Sequence, residues 1–214
     1  MTVTLTREQR VAAYLAIARL LAYPDQAATA EVPMLRRLSR DLPDIVGKPL
    51  LQFLDLTADR PLLELQSEYV ATFDLKRRCC LYLSYFLNGD TRRRGMALWR
   101  FKETYRLAGW SVEGGELPDY LPVLLEFAAS GPDEESAALA ILHEHREGLE
   151  VLRAALERFA APQQLVIQAL ITTLPELTDV QLLAAQELVA AGPPTETVGL
   201  EPFGSELLTI GARP

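Results

Sequence analysis

The side chains that could do chemistry in this chain are few, and their spacing narrows what that chemistry is. The only histidines, His143 and His145, stand two apart. On a helix they point in different directions and cannot share a metal as an i, i+4 pair would. They read instead as surface or boundary residues. Cys79 and Cys80 are adjacent, which fits neither a disulfide framework nor a zinc spacing and suits a reducing compartment. Lys76, Arg77 and Arg78 lie just upstream and would favour a thiolate, but in an apolar segment such a pair reads first as small hydrophobic filling. Glycine-rich phosphate loops, Gly-x-Ser-x-Gly elbows and His-Glu-x-x-His pairs are absent from the sequence. The expectation is a protein that binds rather than catalyses, with no resident metal or cofactor.

The charges are sorted along the chain. Residues 76–106 carry nine basic side chains against Asp90 and Glu103, and residues 107–150 carry ten acids against Arg146 alone. Either the two stretches neutralise each other across the fold, or one of them edges a binding surface. An acidic, partly apolar groove would suit a basic amphipathic peptide laid in as a helix. Tyr69 and Phe73, four apart, offer two aromatic anchors on one helical face, and equally a pair of core residues. Glu116 adds a carboxylate at a loop edge, while Asp119 is either a contact or the cap of the helix that follows. Arg92, Arg93 and Arg94 sit at a helix start, against the macrodipole, which points to an anionic partner.

The elements that must hold these residues are helices. The chain has 214 residues, with 39 Leu and 27 Ala against 18 Val plus Ile, so helix formers dominate. An all-α single domain of about nine to ten helices over residues 1–191 is expected, followed by a Pro- and Gly-containing tail, 192–214, without fixed structure. The first helix starts at Thr6, answered by Gln9 in a capping box, and stops before Pro24, with Val11, Tyr14, Leu15, Ala18 and Leu21 on one face. Arg19 interrupts what would otherwise resemble an export signal. Pro24 to Pro33 reads as a linker. Helices follow over 34–42, 50–57 and 62–73, then a short apolar segment, 79–87, and a helix over 91–108 capped by Asp90 and closed by Gly109. After a glycine loop, residues 119–129 form an almost wholly apolar helix destined for the centre. A long helix spans 133–159, and two more cover 163–173 and 181–190, the last announced by Thr178. No apolar run approaches a membrane span, and the net charge of −8 disfavours nucleic acid.

Two stretches carry a family resemblance. The run from Tyr69 through Phe73, Cys79 and Cys80 into Gly89-Asp-Thr-Arg-Arg-Arg94, followed after the glycine loop by Glu116-Leu-Pro-Asp-Tyr120, resembles the NarJ-type nitrate reductase assembly chaperones, also called the delta subunit. The resemblance covers most of residues 7–190, and the order of the two motifs makes it specific. It implies an all-helical, cytoplasmic, non-enzymatic chaperone. Such a protein binds the N-terminal peptide of the reductase alpha subunit and keeps the apoenzyme competent for molybdenum cofactor and iron–sulfur insertion before membrane docking. Cofactor delivery proteins are further partners it implies; nucleic acid and direct membrane insertion are not. The resemblance places the family's Tyr-x-x-x-Phe motif on Tyr69 and Phe73 and its Glu-x-Pro-Asp-His/Tyr motif on Glu116, Pro118, Asp119 and Tyr120. Many members have His at the last position, so Tyr120 keeps an aromatic hydrogen-bonding group without the titrating imidazole. The alternative reading is a protein that handles the molybdenum cofactor directly through Arg92, Arg93 and Arg94.

Overall fold

The computed structural model describes residues 4–112 and 114–192. Its described residues form eleven α-helices: α1 (Arg7–Leu21), α2 (Gln26–Asp41), α3 (Asp44–Thr57), α4 (Leu62–Tyr69), α5 (Leu83–Asn88), α6 (Arg92–Leu107), α7 (Leu121–Ser130), α8 (Pro132–Glu144), α9 (Arg146–Arg158), α10 (Gln164–Thr173) and α11 (Asp179–Ala191). The all-α expectation holds. Apart from Gly192, the expected tail lies outside the described residues.

The core is organised around α7. Leu121, Pro122, Leu124, Leu125, Phe127 and Ala128 are all buried, and α1 and α8 flank the helix. Helix α1 begins with the expected capping box between Thr6 and Gln9 and buries Tyr14, Ile17, Ala18 and Leu21. Leu15, assigned to the same face by its spacing, is 45% exposed. The capping box of Thr178 and Gln181 also forms, opening α11 two residues earlier than expected.

Several boundaries differ, each for a local reason. The segment expected as a linker is the first half of α2. Asp25 accepts the amide of Ala28 and starts a helix that continues through Pro33. An internal proline removes one amide donor and crowds the preceding turn. Here the helix is clamped from both sides, by Arg19–Glu31 at 2.5 Å to α1 and Arg36–Asp55 at 2.5 Å to α3. Helix α3 starts at Asp44 rather than Leu50. Residues 70–74 widen into a π turn that prolongs α4. The segment 79–87 is split between a 3₁₀ turn (Arg77–Cys79) and the short α5. Thr91, not Asp90, occupies the cap position of α6, with no side-chain cap bond. The long helix expected over 133–159 breaks at His145, whose buried ring packs on Phe101 and turns the chain from α8 into α9. Beyond the break, Leu149, Leu152 and Leu156 are buried, while Phe159 is exposed beneath Lys76.

Helices α2 and α3 meet at Gly47, where a Cβ would stand 2.2 Å from the carbonyl oxygen of Ser39. In a solvated helix, Gly→Ala would add about 1 kcal/mol through propensity. Gly47→Ala is expected instead to lower stability by about 2 kcal/mol, because a backbone oxygen cannot swing away. Urea denaturation of the variant measures this, and a stabilised variant would show that the helices are not so closely opposed.

Candidate functional site

The two motif segments meet at a bridge. Leu83 donates its amide to the carbonyl of Asp119 at 3.0 Å, and Leu121 donates to that of Leu81 at 2.8 Å, pairing Tyr82 with Tyr120. This short antiparallel contact fixes the entries of α5 and α7 against each other, and the site residues project from it.

Asp119 caps a helix, but not the one it precedes. Tyr120 holds the cap position of α7, and the fully buried carboxylate of Asp119 turns to the start of α5. There it accepts the amide of Ser84 at 3.2 Å and the Ser84 hydroxyl at 2.5 Å. The Arg94 guanidinium approaches to 3.7 Å and also reaches Asp90 at 3.3 Å. Arg94 is thus turned inward, close to the rings of Tyr82 and Tyr85, while Arg92 and Arg93 stay exposed. The three arginines do not converge on one spot. Pro118 is buried, and its carbonyl accepts the Tyr105 hydroxyl at 2.8 Å.

Tyr69 and Phe73 are buried at 8% and 6% exposure, with ring centroids 4.8 Å apart. The Tyr69 hydroxyl bonds that of Tyr120 at 2.8 Å. The Tyr120 ring lies 5.5 Å from that of Tyr82, whose hydroxyl donates to the exposed Glu116 at 3.1 Å. A polar line therefore runs from the interior to a surface carboxylate. Burial raises the phenol of Tyr69 and pushes that of Tyr120 up to about 12, so neither ionises near neutrality.

Tyr69 is also a wall of an apolar groove of about 380 Å³ between α1, α2, α3 and α4. Leu20, Val32, Leu35, Phe53, Leu54 and Leu65 line it, with Arg19, Arg36 and Arg60 at its edge. Each of these arginines is paired: Arg19 with Asp25 and Glu31, Arg36 with Asp55, and Arg60 with Glu64 and Glu68. The charged lining of the groove is thus three guanidiniums, and their five carboxylate partners lie outside that lining. The groove is not visible in the sequence because the first half of α2 reads there as a linker. The pointer lay in Asp25, set before the helix-forming run Gln26-Ala-Ala.

The thiols are poorly placed for nucleophilic work. Cys79 is fully buried, and burial raises its thiol and pushes that of Cys80 up to about 12, despite the neighbouring cations. The histidines diverge: His143 is exposed beside Gln181, whereas His145 is buried, contrary to the surface or boundary position expected of both.

The family model for the nitrate reductase delta subunit matches residues 39–162, which include both motif segments. The chain belongs to the nitrate reductase delta subunit family. A Bacillus subtilis relative, described as a probable nitrate reductase molybdenum cofactor assembly chaperone, is 35% identical over 144 residues, 67% of this chain and 77% of that protein. The Escherichia coli K12 chaperone NarJ is 36% identical over 124 residues, 56% of this chain and 52% of its own length. A Mycobacterium tuberculosis nitrate reductase-like protein, NarX, is 37% identical over 156 residues, but the chain spans only 23% of it. The crystal structure of a putative redox enzyme maturation protein from Archaeoglobus fulgidus shares the fold, with a TM-score of 0.55 over 80% of this chain and 94% of that one, at 22% identity.

In this delta subunit family member, removing the Asp119 carboxylate would leave Ser84 and Arg94 without their shared acceptor. Asp119→Ala is expected to cost about 3 kcal/mol in chemical denaturation and Asp119→Asn less, since the amide oxygen still accepts. Equal stabilities would remove Asp119 from this role. Burial also depresses the His145 imidazole below its ordinary 6.5, outweighing the nearby Glu144 and Asp119. The unfolded chain then takes up a proton at that position before the native one does. The stabilising contribution is complete above about pH 6.5 and lost as pH falls below it. His145→Phe should flatten that part of the stability profile, measured by urea midpoints from pH 7.5 to 5.5; an unchanged slope would exclude His145 as its source.

Proposed function

We propose that this chain is an assembly chaperone of respiratory nitrate reductase. It takes the N-terminal segment of the catalytic alpha subunit into the groove between α1 and α4 and holds the apoenzyme for molybdenum cofactor and iron–sulfur insertion. It acts by binding and not by catalysis. The observation that carries this reading is the position of Tyr69: its ring walls an apolar groove, and its hydroxyl joins the second family motif 51 residues away through Tyr120. The apolar lining supplies affinity for an amphipathic segment, and Arg19, Arg36 and Arg60 with their carboxylate partners form the polar edge that meets its polar face. Glu116, exposed and oriented by Tyr82, offers the charge for orientation, while Pro118 and Asp119 position it from within.

Named relatives support the reading: the Bacillus subtilis and Escherichia coli proteins bear nitrate reductase molybdenum cofactor assembly in their descriptions. The environments of Cys79, Cys80 and His145 support a role without bond-breaking.

Calorimetric titration with a synthetic peptide of the alpha subunit N-terminus should show saturable binding with a negative heat-capacity change. Leu65→Asp, at a half-buried position of the groove lining, should weaken it about tenfold or more while the circular dichroism spectrum is kept. Glu116→Ala should weaken it less, and chiefly at low salt. Peptide affinity indifferent to Leu65→Asp would place the segment elsewhere, and no binding at all would reject the proposal.

A further inference from the structure

The polar side chains that line the groove at Tyr69 are, with one exception, already satisfied by the fold. Thr57 donates its hydroxyl to the carbonyl of Phe53 at 2.9 Å and Thr29 donates to that of Asp25 at 3.1 Å, each four residues back in the chain. Arg19, Arg36 and Arg60 hold carboxylates, and the Tyr69 hydroxyl meets that of Tyr120. The exception is Gln163. It stands 7% exposed in the groove lining, and its buried Oε1 has no hydrogen-bond partner among the described residues. The turn that delivers it, with Ala160 at φ 51° followed by Pro162, places it at the cap position of α10, where a side-chain oxygen can accept a free amide of the first turn. It does not do so: the backbone carbonyl of Gln163 accepts Val166 and Ile167, and the side chain caps nothing. An acceptor taken from water without a donor is a cost that folding does not require here, since an apolar side chain of similar length would fill the same space.

We infer that Gln163 is a specificity-determining residue of the groove, whose Oε1 accepts a hydrogen bond from an uncharged N–H or O–H donor of the bound segment. The inference rests on the chaperone reading and deepens it, by naming a feature the segment must carry besides apolar side chains. Apolar contacts grade affinity without fixing register, because a segment slid along the groove still buries apolar area. A single buried acceptor does fix it: any register that covers the oxygen without bringing a donor leaves it unpaired in an apolar site. The donor is uncharged, because a buried lysine or arginine needs a carboxylate beside it and the described lining holds none. Two sources share this chemistry, a hydroxyl or carboxamide side chain on the apolar face of the segment and a free backbone amide of its first helical turn.

The test uses the full chain and the synthetic peptide of the alpha subunit N-terminus. Gln163→Met keeps the length of the side chain and removes the acceptor, whereas Gln163→Glu keeps an acceptor. Calorimetry is expected to give about tenfold or more weaker peptide binding for Gln163→Met, and affinity within about threefold of the unmodified chain for Gln163→Glu. Without peptide, the urea midpoint of Gln163→Met should equal or exceed that of the unmodified chain, because Oε1 gives up no intramolecular bond. A lowered midpoint would make the residue structural and overturn the inference. The donor is found by cycles that pair Gln163→Met with alanine at each Ser, Thr, Asn and Gln of the peptide, and then with amide-to-ester replacement through its first turn. At one position the second change should cost nothing further. Coupling at a side chain or at an amide identifies the source, and coupling at neither overturns the inference. If the unmodified chain binds the peptide and Gln163→Met binds it equally, or if Gln163→Glu loses as much as Gln163→Met, the inference falls and the chaperone reading stands. Absence of binding by the unmodified chain rejects that reading, and this inference with it.

Discussion

A carboxylate with no exposed surface has to be given donors by the fold, and the junction of α5, α6 and α7 is built around giving Asp119 its donors. Ser84 contributes an amide and a hydroxyl, and Arg94 contributes a nearby positive charge. In return the carboxylate caps α5, a helix of six residues that lacks a cap of its own. It also draws Arg94 away from the unfavourable positive end of the α6 dipole into a compensated site. The backbone bridge between Tyr82 and Tyr120 runs through the same residues, so the direction in which Tyr120, Pro118 and Glu116 project is a consequence of where one buried negative charge is satisfied. The second oxygen of Asp119 has no protein donor among the described residues.

What was legible in the sequence was whatever depends on local chemistry. The capping boxes of Thr6 and Thr178 form as read, the apolar run 121–129 is central, and Gly109 takes a positive φ just past the end of α6. What was not legible depends on contacts far apart in the chain. Pro33 reads as a breaker because its cost is local, while the ion pairs of Arg19 and Arg36 that hold α2 straight through it come from neighbouring helices. The break at His145 has the same origin. Nothing in the periodicity from Asp133 to Phe159 marks it, because it arises where the imidazole is buried against Phe101 of α6. Asp119 looks like a cap for α7 because it precedes it; it caps α5 because the bridge brings that start nearer. For the site, the fold brings the two motifs together where Tyr69 touches Tyr120, a contact the sequence does not announce, and the groove beside Tyr69 depends on α2 and is invisible with it.

The sorting of charge along the chain resolves in two parts. Between the basic stretch and the acidic one, Arg94 meets Asp119 and Arg100 meets Glu144, but Glu135 turns to Arg7 and Arg10, and Glu150 to Arg146 and Arg153. Mutual neutralisation of the two stretches is therefore limited. Nor does the acidic stretch edge the groove, whose arginines pair with carboxylates from residues 25–68. A run of like charge says little about which surface it will make; three-dimensional pairing decides it.

That pairing leaves two concave surfaces, the apolar groove at Tyr69 with its paired arginines and the cavity between α5, α6 and α8 lined by Arg93, Arg100, Glu103 and Glu144. Coupling between them would have to travel through packed structure, and one continuous route exists: the groove wall at Tyr69 bonds Tyr120, whose neighbour Asp119 holds Arg94 at the start of α6. Apart from the peptide bond between Asp119 and Tyr120, the links on that route are a hydrogen bond and an ion pair between buried or half-buried groups, the kind of connection that transmits a shift only if it has a second arrangement to move to.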